Sequence, residues 1–136
     1  MYNPAQSYLK TQVTTTSPVE VVVMLYDGAI RCLCQAKGEI EARNYARKGI
    51  LISKTLDIIA ELDGCLNVDK GGELAANMHR LYFLCKTKLL RANSDMDTAL
   101  LDEVVHTLRQ LRSAFVQIKG TPPGKPGASD SSSAPI

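Results

Sequence analysis

Two histidines, four cysteines and a scatter of carboxylates are the side chains of this 136-residue chain that could do chemistry. Glu103 and His106 spell E-x-x-H. On a helix that spacing puts both groups on one face, and it is half of the carboxylate–histidine set of a di-iron bundle. The second half is missing, because the other histidine, His79, has Ala76 three residues before it. The pair therefore reads as neighbours on a solvated helix face, and no metal site is expected. The run His106-Thr107-Leu108-Arg109 also suggests a histidine phosphotransfer bundle, in which an exposed imidazole accepts a phosphoryl group. Such a histidine needs a small residue nearby to admit the donor, and Gln110 and Leu111 stand there instead. Asp57, Glu61 and Asp63 gather toward one helix end, where carboxylates are usually just solvated. Cys32, Cys34, Cys65 and Cys85 fit neither a zinc spacing nor C-x-x-C, and read as reduced, packed thiols. With no Ser-His-Asp set and no glycine loop for a nucleotide, the chain is expected to be no enzyme and to need no cofactor.

The elements that carry these residues are helices. Ser17-Pro18-Val19-Glu20 combines an N-cap, a proline at the first helical position and a Glu closing a capping box. These signals outweigh the strand-like look of the valines that follow, since β-branching costs only a few tenths of a kcal/mol per helical residue. The first helix is expected over Pro18–Arg43, with Val19, Val22, Val23, Tyr26, Ile30, Leu33 and Ile40 as its apolar stripe. A second is expected over Tyr45–Leu62 on Ile52, Leu56, Ile59 and Leu62, capped by Asn44. A third runs over Glu73–Ala92 on Leu74, Met78, Leu81, Cys85, Leu89 and Ala92, fed by a turn at Gly71-Gly72. The fourth runs over Asp97–Ile118 on Leu101, Val104, Leu108, Leu111, Phe115 and Ile118, with Ser94 and Asp97 as an S-x-x-D cap. Short links between amphipathic helices make neighbours antiparallel. The fold class is all-α: an up-and-down four-helix bundle with an N-terminal arm packed on it. Residues 1–119 form one domain. Residues 120–136 are Pro, Gly, Ser and Ala-rich, too poor in apolar surface to offset ordering entropy, and are expected to be disordered.

Composition sets limits. A net charge of +2 and 5% aromatics give neither an electrostatic footprint nor a stacking platform for nucleic acid. No apolar run approaches the roughly 18 residues of a membrane span, and no signal sequence opens the chain. The cytosol is the expected compartment.

Apolar surface exceeds what a bundle needs. A core-facing helix uses about three of every seven positions. The first helix adds Val21, Met24, Leu25, Gly28, Ala29 and Cys32 to its stripe, and the third adds Ala75, Tyr82, Phe83, Leu84 and Leu90. The arm, with Tyr2, Tyr8, Leu9 and Val13, is one candidate cover; an amphipathic helix of another protein is the other, so a generic helix-binding scaffold is a reading to weigh.

Three stretches, in order, resemble the flagellin-specific export chaperones (FliS). They are Val13-Thr14-Thr15-Thr16-Ser17-Pro18 with Met24-Leu25-Tyr26-Asp27-Gly28-Ala29; Asp69-Lys70-Gly71-Gly72-Glu73-Leu74-Ala75 with Asn77, Leu81 and Tyr82; and Leu90-x-Ala92-Asn93 with Leu101-Asp102-Glu103-Val104 and Leu108. Tyr8 matches a tyrosine of the family's N-terminal arm. Phe83-Leu84 and Phe115 depart from its usual Asp-Tyr and Trp. The resemblance implies a chaperone that binds the disordered C-terminal segment of flagellin in apolar grooves, prevents premature polymerisation and delivers it to a component of the flagellar type III export gate. Other flagellar regulators are further candidate partners, and neither nucleic acid nor membrane insertion is involved. The binding residues expected on this resemblance are Tyr8, Met24, Leu25, Ala29, Met78 and Tyr82, with Tyr8 a mobile plug over one groove. Gly28 and Gly71 are expected to serve close packing and turn geometry, and Asn77 to hydrogen-bond near the groove.

Overall fold

Four helices make up the described part of the chain in the computed structural model, which covers residues 18–66 and 68–119, with 68–70 and 118–119 as backbone only. They are α1 (Pro18–Glu41), α2 (Tyr45–Gly64), α3 (Val68–Asp95) and α4 (Thr98–Lys119). No strand occurs among the described residues. The Ser17 cap, the arm with Tyr8 and the tail from Gly120 lie outside them.

The link after α1 is a Schellman closure. Asn44 N–H donates to Glu39 O at 2.7 Å and Arg43 N–H to Ile40 O at 3.0 Å. Arg43 takes the left-handed conformation, φ 61°, that glycine usually supplies. Asn44 sits at the N-cap position of α2 but makes no side-chain cap bond. The second turn repeats the device with Met96 at φ 55° and Asp97 N–H on Ala92 O. Asp97 then caps α4, its Oδ1 accepting from Leu100 N–H at 3.2 Å. Ser94, expected to cap, lies within α3, because that helix runs on to Asp95.

The expected turn at Gly71-Gly72 is a kink that divides α3 into a short leading piece and the long helix that starts at Glu73. Gly72 stands at φ 56°, ψ −131°. A Cβ at Gly71 would lie 2.7 Å from the Ala75 methyl, so the residue before the break must be glycine too.

The helices pack in a ring. α1 touches α2 and α4, α3 touches the same two, and the diagonal pairs keep their backbones apart. Moving from Asp27 to Lys37 along α1 moves from Arg112 to Asp102 along α4, through ion pairs at both levels. Moving from Lys48 to Asp63 along α2 moves from Asn93 to His79 along α3. Both seams are therefore antiparallel, as the short links require.

The core differs from the expected stripes in two helices. On α1 it is Val21, Leu25, Tyr26, Ala29, Cys32, Leu33 and Ala36. Val19, Val22, Val23, Ile30 and Ile40 are half-buried. A helix flanked by two neighbours buries a wide face, and α1's apparent surplus is that face. On α3 the core runs through Ala75, Met78, Tyr82, Cys85, Leu89 and Ala92, while Leu74 and Leu81 are exposed. Leucine at bundle spacing drew the seam one position off. The second and fourth helices keep theirs at Ile52, Ile59, Leu62, Leu101, Val104 and Leu108. Each such side chain removed from water contributes roughly 1.5–3 kcal/mol.

Candidate functional site

The apolar surface left over after the core is filled lies on α3. Leu74 (68% exposed), Phe83 (61%) and Leu90 (59%) are its most open large side chains, joined by Leu84 and Leu81. Helical spacing divides them between two flanks. Phe83 and Leu90 share a row with Lys86 and Asn93, and Asn93 meets Lys48 of α2. Leu74, Leu81 and Leu84 border the opposite flank, where Lys88 pairs with Glu103 of α4 at 3.0 Å.

Beside the first flank an open groove of about 610 Å³ runs along α2, lined by Ala46, Gly49, Ile50, Ser53, Lys54 and Asp57, with Asn93 reaching in from α3. Its walls are mostly small or aliphatic, and Ile50 is exposed. Lys48 underlies one end. It is only 5% exposed, and its Nζ donates to Asn93 O at 2.9 Å and to Asn93 Oδ1 at 2.7 Å. The main-chain acceptor is one of the carbonyls that the end of α3 leaves without a helical partner, so a cation meets the negative end of that helix.

The six residues expected to bind fall in different places. Tyr8 lies outside the described residues. Met24 is half-buried on α1. Leu25, Ala29, Met78 and Tyr82 all belong to the buried core cluster. In this bundle they fill the interior. Tyr82 and Tyr26 join hydroxyls at 2.5 Å in the interior, and the Tyr26 ring lies 5.7 Å from that of Phe115. Burial raises the pKa of both phenols, that of Tyr82 to about 12. Burial likewise pushes the Cys85 thiol up to about 11, which keeps it protonated and unreactive near neutral pH.

The remaining candidates hold ordinary surface roles. Asn77 Oδ1 accepts from Arg80 one turn on, and is exposed. Glu103 is taken up by Lys88, while His106 and Gln110 are exposed on α4. Asp63 pairs with His79 at 2.7 Å, and Asp57 lines the groove. Gly28 has room for a methyl group, the nearest atoms being Ile58 Cδ1 at 3.6 Å and Arg31 Nη2 at 3.9 Å. Close packing does not require glycine there. Among the described residues no three His, Cys, Asp or Glu side chains gather as metal ligands, and no helix is long and apolar enough to cross a membrane. Sequence reasoning missed Lys48. Its signal was a cation one turn before Ile52, on the seam of α2.

The family model described as flagellar protein FliS matches residues 1–122. The flagellar secretion chaperone FliS of Vibrio cholerae is 36% identical over 122 residues, covering 87% of this chain and 90% of that protein. Flagellar secretion chaperone FliSB of Pseudomonas aeruginosa is 38% identical over 110 residues, 81% of this chain and 87% of that protein. The FliS of Salmonella typhimurium is 35% identical over 115 residues, 84% and 85% of the two chains.

Proposed function

The chain belongs to the FliS family of flagellar secretion chaperones, and from that premise we propose that it binds the C-terminal segment of flagellin in the cytosol. There it blocks premature polymerisation and hands its cargo to the type III export gate without catalysis. The observation that carries this reading is the exposed apolar surface on the two flanks of α3, Leu74, Leu81, Phe83, Leu84 and Leu90, outside the buried core cluster. A closed, partnerless bundle has little use for that surface.

The mechanism is folding coupled to binding. A disordered segment gains helical order as it lays an apolar face against α3 and its neighbours. Ordering costs about 2–5 kcal/mol of the gross interaction. Fully burying one large apolar side chain contributes roughly 1.5–3 kcal/mol, so several together outweigh that cost. Phe83, Leu90 and Ile50 offer contact on the α2 side, and Leu74, Leu81 and Leu84 on the α4 side. Of the residues expected from the sequence, Met24 contributes half-buried surface on α1. Leu25, Ala29, Met78 and Tyr82 support that surface from the core, and Tyr8 acts as a plug on the free protein. Co-purification with full-length flagellin, and with flagellin lacking its C-terminal segment, tests the reading. The full-length protein is retained and the truncated one lost; equal recovery of both overturns it.

A further inference from the structure

The buried ammonium of Lys48 fixes how Asn93 faces the groove. An ammonium group has three donors and no acceptor. The atom of the Asn93 amide that lies 2.7 Å from Nζ must therefore be its oxygen. The amide cannot be flipped without setting donor against donor, so its NH2 is turned away from Lys48. Asn93 lines the groove, and its Nδ2 has no acceptor among the described residues.

We infer that Asn93 is a register-setting hydrogen-bond donor for the helical segment docked in the α2/α3 groove, and that Lys48 is the positioning residue that holds it. The inference rests on the chaperone reading and adds an orientation to it. The Asn93 end of the groove combines two N–H bonds that meet no acceptor among the described residues with an underlying cation. The complementary part of an apolar helix is its C-terminal turn, whose last carbonyls lack helical partners and carry partial negative charge. The docked segment therefore lies with its C-terminal turn at Asn93 and runs back past Ile50 and Ser53.

Asn93→Asp separates this role from a structural one. The carboxylate still accepts from Lys48, so the bundle keeps its denaturation midpoint or gains, but the donor facing the groove becomes an acceptor. Calorimetric titration with full-length flagellin monomer is expected to show affinity lower by about tenfold or more, the scale of one lost and opposed hydrogen bond. Lys48→Arg keeps a donor to Oδ1 and is expected to retain most of the affinity. Unchanged affinity in Asn93→Asp overturns the inference, and so does a lowered midpoint, since the Lys48 pairing would then be wrong. A photo-crosslinker on Ala46→Cys captures the C-terminal end of the docked helix; capture of its N-terminal end refutes the orientation. If wild type itself fails to bind flagellin, the chaperone reading falls first and takes this inference with it.

Discussion

The hydroxyls of Tyr26 and Tyr82 meet at 2.5 Å across the diagonal of the bundle, joining two helices whose backbones do not touch. The pair carries two protons, and one O–H···O bond uses one of them. Among the described residues no other acceptor serves the second. The contact is thus a polar link in an apolar interior with one donor to spare. Tyr82→Phe leaves the Tyr26 hydroxyl buried alone and is expected to cost about 1–3 kcal/mol. Tyr26→Phe does the same to Tyr82. The double variant is expected to be more stable than the sum of the two losses, which urea denaturation of all four proteins measures. Additive losses would deny the coupling.

The same pair sets the alkaline limit of the fold. Burial holds both phenols protonated, with Tyr82 pushed up to about 12. An unfolded tyrosine titrates near ~10. The folded state binds these protons more tightly, so the stabilisation is fully present below about pH 10 and is lost as pH climbs toward 12. Ultraviolet titration should show tyrosinate from Tyr26 and Tyr82 appearing together with loss of helical circular dichroism. Early ionisation of all tyrosines in a still-folded protein would contradict it.

Arg43 occupies a left-handed position, φ 61°, while exposed to solvent. A side chain there costs roughly 1–2 kcal/mol, part of which glycine gives back through a freer unfolded chain, about 0.5–1 kcal/mol. Arg43→Gly is expected to stabilise by about 0.5–1 kcal/mol, a rise of a few degrees in Tm. A drop would show that the guanidinium makes a compensating contact.

Phe83 and Leu90 are largely exposed and lie outside the buried core. Replacing both with Ser is expected to leave the urea midpoint within about 0.5 kcal/mol of wild type, as for ordinary surface changes, while flagellin retention in co-purification falls at least tenfold. Retention at the wild-type level would move the contact surface away from this flank of α3.

Helix number, order and antiparallel sense were legible in the sequence because caps, links and periodicity are local signals. Which residues face inward was legible only where a stripe is narrow. On α4 the spacing of Leu101, Val104 and Leu108 named the core directly. On α1 and α3 more apolar residues competed than one face can hold. Choosing among them depends on which neighbours each helix has, and that is settled by packing. Tyr82 was read as surplus because it falls beside the seam drawn through Leu74 and Leu81; its partner, Tyr26, lies 56 positions earlier in the chain. Lys48 escaped notice for a related reason. Its acceptors, both on Asn93, come from a different helix, and without them a buried ammonium would be prohibitive.

The seam between α1 and α4, marked by Asp27–Arg112 and Lys37–Asp102, joins the earliest described helix to the latest. Translation delivers them in that order. While α1, α2 and α3 have already emerged, one side of α1 must wait bare for a helix not yet made. The α1–α2 hairpin, held by contacts close in sequence, is the part able to form at once. Closure of the ring is the slow, long-range step. A nascent chain halted before Arg112 would thus display the buried face of α1 to the cell, and would itself be the kind of unfinished, sticky polypeptide that needs guarding.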